Sequence, residues 1–291
     1  MKIRPLVSLE YRLAKHLGNA RRKAYGRNLK LKNLSGGVAN DQFPARVFSM
    51  SGHHSMPEQV ASILSFLSHV GPPLTFTVIS DGTLTASDCE VLRGLHPAVQ
   101  IMPPQEILGA PLPQCIKKYA ESGQPMGLKL AVLFILSQTP PVFYTDSDIL
   151  FFPAAHQAFR ALLKADAAAF FIADCIFSLD RQILRDDDKK LPSVNAGFIF
   201  FKDKFDWSPG ISRLEPVVNS TTYFTEQTVV HLAMHHNKAA GLDPQGFILK
   251  IDDQLKIRDQ HVNPRTVLRH YVSTIRHKFW LQIPWFGKVN N

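Results

Sequence analysis

Cysteine is scarce in this chain, with three in 291 residues: Cys89, Cys115 and Cys175. None sits in a CxxC pair or at zinc-ligand spacing. A disulfide scaffold and a structural zinc module are therefore not expected, and a reducing compartment is the simpler setting, with the three cysteines in the core. No apolar run reaches about 18 residues, so no membrane-crossing helix is expected. No apolar stretch follows Lys2 and Arg4, so a secretory signal is not expected either. Neither a P-loop nor a dinucleotide-type glycine pattern is present, which argues against kinases and dehydrogenases. Internal repeats and low-complexity segments are also missing. What is there is a globular composition: 45% hydrophobic, 20% charged, rich in phenylalanine, and long enough to bury a real core.

The net charge of +9 is unevenly spread. Residues 1–32 hold ten Lys/Arg and one acid, Glu10, so the remainder is balanced. The reading is a basic N-terminal arm and linker over 1–44 and one α/β domain over 45–291. Leu6, Leu9, Leu13 and Leu17 have helical spacing in the arm. Such an arm is either a solvated segment or a surface for anionic lipid. Nucleic acid is not expected, because the body carries no nucleic-acid-binding motif. The expected location is cytoplasmic, with the arm able to hold the protein peripherally at the inner face of a membrane.

From Arg46 the chain alternates strand and helix patterns. Strands are expected at 46–50, 74–79, 99–101, 142–145, 168–172, 198–201, 247–252 and 266–272. Helices are expected from Pro57, from Thr85 as N-cap, near 114–122, over 126–136, and from Thr225 as N-cap. Residues 103–113 read as a proline-rich loop and Asp186, Asp187 and Asp188 as a solvated one. The alternation implies an α/β fold with a mainly parallel sheet flanked by helices, whose ligands bind at the carboxyl ends of strands. Polar turns at 51–55, 80–82 and 146–148 fall there.

Asp146 and Asp148 are the sharpest local signal. Val142, Phe143 and Tyr144 precede them and Ile149, Leu150, Phe151 and Phe152 follow. Unpaired carboxylates buried among such residues would cost several kcal/mol each. A divalent cation between the pair and a diphosphate offsets that cost, and hard oxygen ligands suit Mg²⁺ or Mn²⁺. A solvated turn with the acids facing water is the alternative.

An ordered series extends the signal. It runs from the strand–turn–helix 46–67 through Lys129 to Asp146, Ser147 and Asp148. It continues with Ile172 to Asp174, then Val194 to Phe198, then Glu226 and Gln227, and ends with His270, Tyr271, Lys278, Phe279 and Trp280. Over roughly residues 45–282 this pattern resembles GT-A fold glycosyltransferases, most closely the glycogenin and bacterial lipopolysaccharide galactosyltransferase group. The resemblance implies a Rossmann-like mixed sheet. It also implies transfer of a sugar, with retention, from a nucleotide-sugar (UDP-linked) to a hydroxyl acceptor on a glycan or a lipid-linked glycan. Asp146, Asp148 and His270 would hold Mn²⁺ or Mg²⁺. Ser49, Ser51, His53, Asp81, Lys129, Ser147 and Gly197 would bind the donor, with Arg276 or Lys278 at its diphosphate. Asp174 and Asn195 would meet the sugar hydroxyls, with Gln227 and Glu226 beneath the anomeric carbon.

The chain departs from the group at two places. Glu226, Gln227 and Thr228 stand where an Asp-Gln-Asp run is usual, and the C-terminal motif lacks its glycine and proline. On the residues alone, simpler roles stay open. Lys129 could lie on a helix surface, Asp174 could cap a turn, and Glu226 could be only the first-turn acid of its helix. His231 and His235, four apart, read as surface or capping groups rather than a metal pair. A sugar nucleotidyltransferase, or a non-catalytic nucleotide-sugar-binding protein, is the alternative function.

Overall fold

The computed structural model describes residues 9–29 and 41–283. Its centre is a seven-stranded sheet. The strands β1 (Phe43–Ser51), β2 (Pro73–Ser80), β3 (Val99–Met102) and β4 (Val142–Thr145) are mutually parallel, in the order β3-β2-β1-β4. Beyond β4 come β7 (Val194–Phe201), antiparallel to both of its neighbours, then β6 (Ala169–Ala173) and the short β8 (Ala240–Gly241). This is the mixed, mainly parallel sheet expected. β2 lies on one side of β1 and β4 on the other, so the strand order reverses at β1, where a crevice opens at the strand ends.

Every residue of β4 and of β7 is buried, which is why both read as unbroken apolar runs. Phe143, Phe198 and Phe200 face one side, in a core with Phe43, Phe66, Phe76, Phe151 and Phe159. Val142, Tyr144, Ile199 and Phe201 face the other, against Leu130, Leu133 and Val229. Successive side chains of a strand alternate between faces. The first core is a cluster of rings: Phe143 and Phe200 stack 3.9 Å apart at 1°, while Phe66 meets Phe43, Phe76 and Phe151 edge-on.

The covering helices are α2 (Met56–His69), α3 (Ala86–Arg93), α5 (Gln114–Ala120), α6 (Pro125–Ser137), α7 (Ala155–Lys164), α8 (Ser208–Leu214) and α9 (Thr225–His236). Thr85 caps α3 in a reciprocal box with Asp88, as its sequence implies. Residues 103–113, expected as loop, contain a short helix, α4 (Pro104–Leu108). Two prolines there begin a helix, since the first turn needs no N–H. Thr225 is the first residue of α9 rather than its cap, because its hydroxyl bonds Asp180 at 2.7 Å.

After Asp148 the chain enters a second, three-stranded sheet: β5 (Ile149–Phe151), β10 (Leu268–His270) and β9 (Phe247–Ile248), in the order β5-β10-β9. The strands expected over 247–252 and 266–272 shorten to β9 and β10. Residues 250–265 instead fold as turns around a buried charge cluster that contains Asp253. Two further helices lie outside: α1 (Leu9–Arg27) packs on α10 (Arg276–Gln282). Trp280 is buried, so the part of the aromatic tail that is described is core. Residues 1–8, 30–40 and 284–291, with Leu6 and the expected linker, lie outside the described residues.

Candidate functional site

Three strand ends build the site. β4 stops at Thr145, and the next N–H, of Asp146, donates to Gly197 O at 2.7 Å. Antiparallel pairing sets Thr145 opposite Phe198, so residues 195–197 lie beside the acid pair. In β6, Ile172 pairs with Asn195, and the Asp174 N–H donates to Ser193 O at 2.7 Å. The third end is β10. His270 pairs with Ile149, and the Tyr271 N–H donates to Asp148 O at 2.9 Å. This register carries His270 across more than a hundred residues onto Asp148.

His270 Nε2 is 3.0 Å from Asp148 Oδ1 and 3.9 Å from Asp146 Oδ2. Its Nδ1 is 3.0 Å from Asn195 Oδ1, which also accepts the Gly197 N–H at 2.9 Å. An amide oxygen cannot donate, so Nδ1 carries the proton and Nε2 is the ring atom left toward the acids. A lone pair and a carboxylate facing at 3.0 Å require a positive charge between them, either a proton on Nε2 or a metal ion. Two carboxylates and one oriented imidazole, all within 4.8 Å, match the donor set of a divalent cation held with a diphosphate. The residues present therefore fit the metal expected there. Gly197 is required for this approach. A Cβ on it would collide with the His270 ring, ending 2.7 Å from Nδ1.

Cations surround the pair. Lys129, on α6, puts Nζ 2.9 Å from Asp146 Oδ2, and the Tyr144 hydroxyl donates to Asp146 Oδ1 at 2.8 Å. Arg276 donates to Asp148 Oδ2 at 2.5 Å. Burial alone would raise the Asp148 carboxyl, but His270 and Arg276 outweigh it and hold it well below the usual range. Burial would likewise lower the Lys129 ammonium, and Asp146 reverses this and raises it.

The acids stand over a cavity of about 480 Å³. It is lined by Lys129, Asp146, Ser147, Asp148, Asp174, Asn195, Gly197, Gln227, His270 and Arg276, all expected site residues. Gln227 donates through Nε2 to Asp174 Oδ2 and to Ser178 O, each at 2.9 Å. With both amide hydrogens used, its oxygen is the end left for a ligand. Glu226, the preceding residue, is not in the lining. It is 2% exposed beneath the site, Oε1 has no partner, and burial pushes its carboxyl up to about 7.

The remaining expected residues lie apart from this lining. Lys278 is fully buried on the far side of α10, 3.1 Å from Asp253 Oδ2 and donating to Arg258 O at 2.7 Å. A lysine so enclosed is not turned to the cavity, and of the two cations proposed for the diphosphate it is Arg276 that lines it. Ser49 donates to Gln59 at 2.8 Å inside the core, and Ser51 is buried with an unpartnered hydroxyl. His53 is 2.7 Å from Asp88, and Asp81 accepts from Thr83 and abuts Gly52. These four lie in or just after the ends of β1 and β2, outside the cavity lining.

Several lining residues were not anticipated. Tyr223 and Phe224 stand at the cavity with 70% and 43% of their surface exposed, ring against ring at 5.5 Å. An exposed aromatic pair just before a helix is a visible signal, but nothing in the sequence says that a cavity lies beside it. Cys175, expected in the core, is exposed and lines the cavity, Cys89 is half-buried, and Cys115 alone of the three is buried. His231 is buried and its Nε2 is 3.2 Å from Asp188 O, whereas His235 points to Pro192 O.

No known family profile matches the chain, and no curated protein matches it by sequence. Solved structures do match. Galactosyltransferase LgtC, crystallised with donor and acceptor sugar analogues, superposes with TM-score 0.50 at 12% identity, over 84% of this chain and 98% of LgtC. Mouse xyloside xylosyltransferase 1 gives 0.52 at 12%, over 81% of this chain and 99% of its own. The Streptococcus pneumoniae glycosyltransferase GlyE gives 0.52 at 14%, over 82% and 59%. The chain thus has the GT-A-type α/β fold of these glycosyltransferases, as its sequence pattern suggested.

Proposed function

We propose that the protein is a glycosyltransferase that moves a sugar from a nucleotide-sugar, UDP-linked by analogy with its group, to a hydroxyl acceptor with retention of configuration. The observation that carries this is the convergence of Asp146, Asp148 and an oriented His270 over a 480 Å³ cavity walled by Lys129 and Arg276. Asp146, Asp148 and His270 would hold Mn²⁺ or Mg²⁺. When bound, that ion supplies Lewis-acid stabilisation for the nucleoside diphosphate as the leaving group. The chain's own cations act in the same sense. Arg276 offers a planar fork for phosphate oxygens once it leaves Asp148, and Lys129 adds a fixed positive charge on the other side. Asn195 keeps the His270 ring in one tautomer. Gln227, immobilised by Asp174 and Ser178, presents its amide oxygen to the sugar, whose ring develops positive charge as the bond to phosphate breaks. Tyr223 and Phe224 offer apolar ring faces at the mouth, suited to the flat face of an acceptor sugar. A glycan or lipid-linked hydroxyl is the acceptor class, and the inner face of a membrane is where a lipid-linked one would be met.

The test is a panel of nucleotide-sugars, with Mn²⁺ and with chelator. The expected result is slow donor hydrolysis without acceptor, and a melting temperature raised more by UDP with Mn²⁺ than by UDP with chelator. Asp148→Asn should remove the difference and leave the fold intact. Equal stabilisation in chelator would overturn the metal assignment, and a panel with no turnover would overturn the transferase reading.

A further inference from the structure

The basic N-terminal segment is not a loose arm over its described length. α1 is tied to the domain along one face. Ala14, Gly18 and Tyr25 are buried. Gly18 sits so close to α10 that a Cβ would collide with the His277 backbone oxygen. Arg21 donates to Leu281 O at 3.1 Å, Arg22 pairs with Glu58 at 2.5 Å, and Tyr25 packs on Trp280 at 5.2 Å. Glu10, the helix's one acid, is turned to the domain, where it accepts the Ile257 N–H at 2.8 Å.

The opposite face is what this anchoring leaves outward. Residues four apart share a face, and Leu9, Leu13 and Leu17 form such a row, exposed by 82%, 48% and 40%. Ala20 and Ala24 continue it, both exposed. Arg12, Lys23 and Arg27 run along one edge of it, all exposed, and Glu10 borders the other edge, held to the domain through Ile257. An exposed row of leucines with cations along its edge is what a helix lying in a membrane interface carries. A solvated helix has no use for three exposed leucines in register, and a nucleic-acid surface would need the cations without them.

The geometry points to α1 as a docking face for an anionic phospholipid surface. The leucine row enters the headgroup boundary and the cations meet lipid phosphates. The complementary charge and the apolar row select this occupant, and neither depends on the activity proposed for the cavity. The docked orientation is set by the fold. His277 lies under Gly18, whereas Arg276, one residue earlier, lines the cavity. A membrane bound by α1 therefore lies within about one helix packing distance, roughly 10 Å, of the element that walls the site.

The test uses the full chain and sedimentation with vesicles of phosphatidylcholine, alone or with roughly 30% phosphatidylglycerol, in about 0.1 M salt. The protein should sediment with the anionic vesicles and not with the neutral ones. Leu9→Ser with Leu13→Ser should weaken the partition by roughly tenfold or more, with the melting temperature little changed, since these are the two most exposed of the row. Lys23→Gln with Arg27→Gln should weaken it and flatten its salt dependence. Protein left in the supernatant would overturn the proposal. So would binding that the leucine pair does not affect, because the basic side chains alone would then account for it. A dimer in sedimentation equilibrium that the leucine pair splits would also overturn it, with a second copy as the occupant.

Discussion

Glu226 carries a cost that can be measured. Its carboxyl is enclosed, one oxygen has no partner, and burial raises it from 4.5 to about 7, Asp146 adding to the rise and Lys129 opposing it. The folded state therefore binds the proton that the unfolded chain releases between these two values. Stability falls as pH rises from about 4.5 and levels off above about 7. Glu226→Gln keeps the shape and removes the charge. Its melting temperature should match the parent near pH 4.5 and exceed it at pH 8, by up to about 3 kcal/mol in free energy. A difference independent of pH would show that the carboxyl is ionised throughout. Gly197→Ala is the second case at this scale. The added Cβ meets the His270 ring, and His270 must turn away from Asn195. Metal-dependent stabilisation by UDP should be lost, while the nucleotide-free stability drops by roughly 1–3 kcal/mol in overpacking strain. Unchanged metal dependence would remove His270 from the ligand set.

At the scale of elements, β10 and α10 are held from behind by buried charge. Arg269 meets Asp253 at 2.9 Å and also pairs with Asp259, and Lys278 meets Asp253 at 3.1 Å. The Tyr271 hydroxyl donates to Asp259 at 3.0 Å. Burial drives the Lys278 ammonium down against the pull of Asp253, while Arg269 and Lys278 hold the Asp253 carboxyl low against burial. The cluster lies on residues adjacent to His270 and two after Arg276, so it locks both strand and helix in place. Lys278→Met should cost roughly 3–5 kcal/mol in stability, because it leaves Asp253 with one cation fewer in a closed site. Any loss of turnover should then recover as temperature is lowered, which a direct phosphate contact would not allow.

For the whole molecule, the first helix is part of the folded body. Tyr25 and Trp280 pack on one another beside Phe279, and the Trp280 indole donates to the same Glu58 that pairs with Arg22. Deleting residues 1–29 should lower the melting temperature by several degrees or more, since it uncovers Trp280 and unpairs a buried carboxylate. A truncated chain that melts like the parent would mean that the helix contributes nothing to the fold. Among the described residues no helix is long and apolar enough to cross a membrane, so any membrane contact of these elements is at the surface.

Local pattern was enough for the alternating strands and helices, for the cap at Thr85, and for the suspicion raised by two acids inside an apolar run. Each is written in neighbouring residues, whose periodicity and charge act over one or two turns. The partners of those acids are not neighbours. His270 reaches Asp148 by strand register, Arg276 replaces Lys278 at the site because residues two apart project from opposite sides of α10, one to the cavity and one to Asp253, and Tyr223 meets the cavity through the packing of α9. A sequence records which side chains exist. Which of two cations two residues apart meets the site carboxylate, and which is walled in behind it, follows from the desolvation and pairing that only the assembled sheets and helices impose.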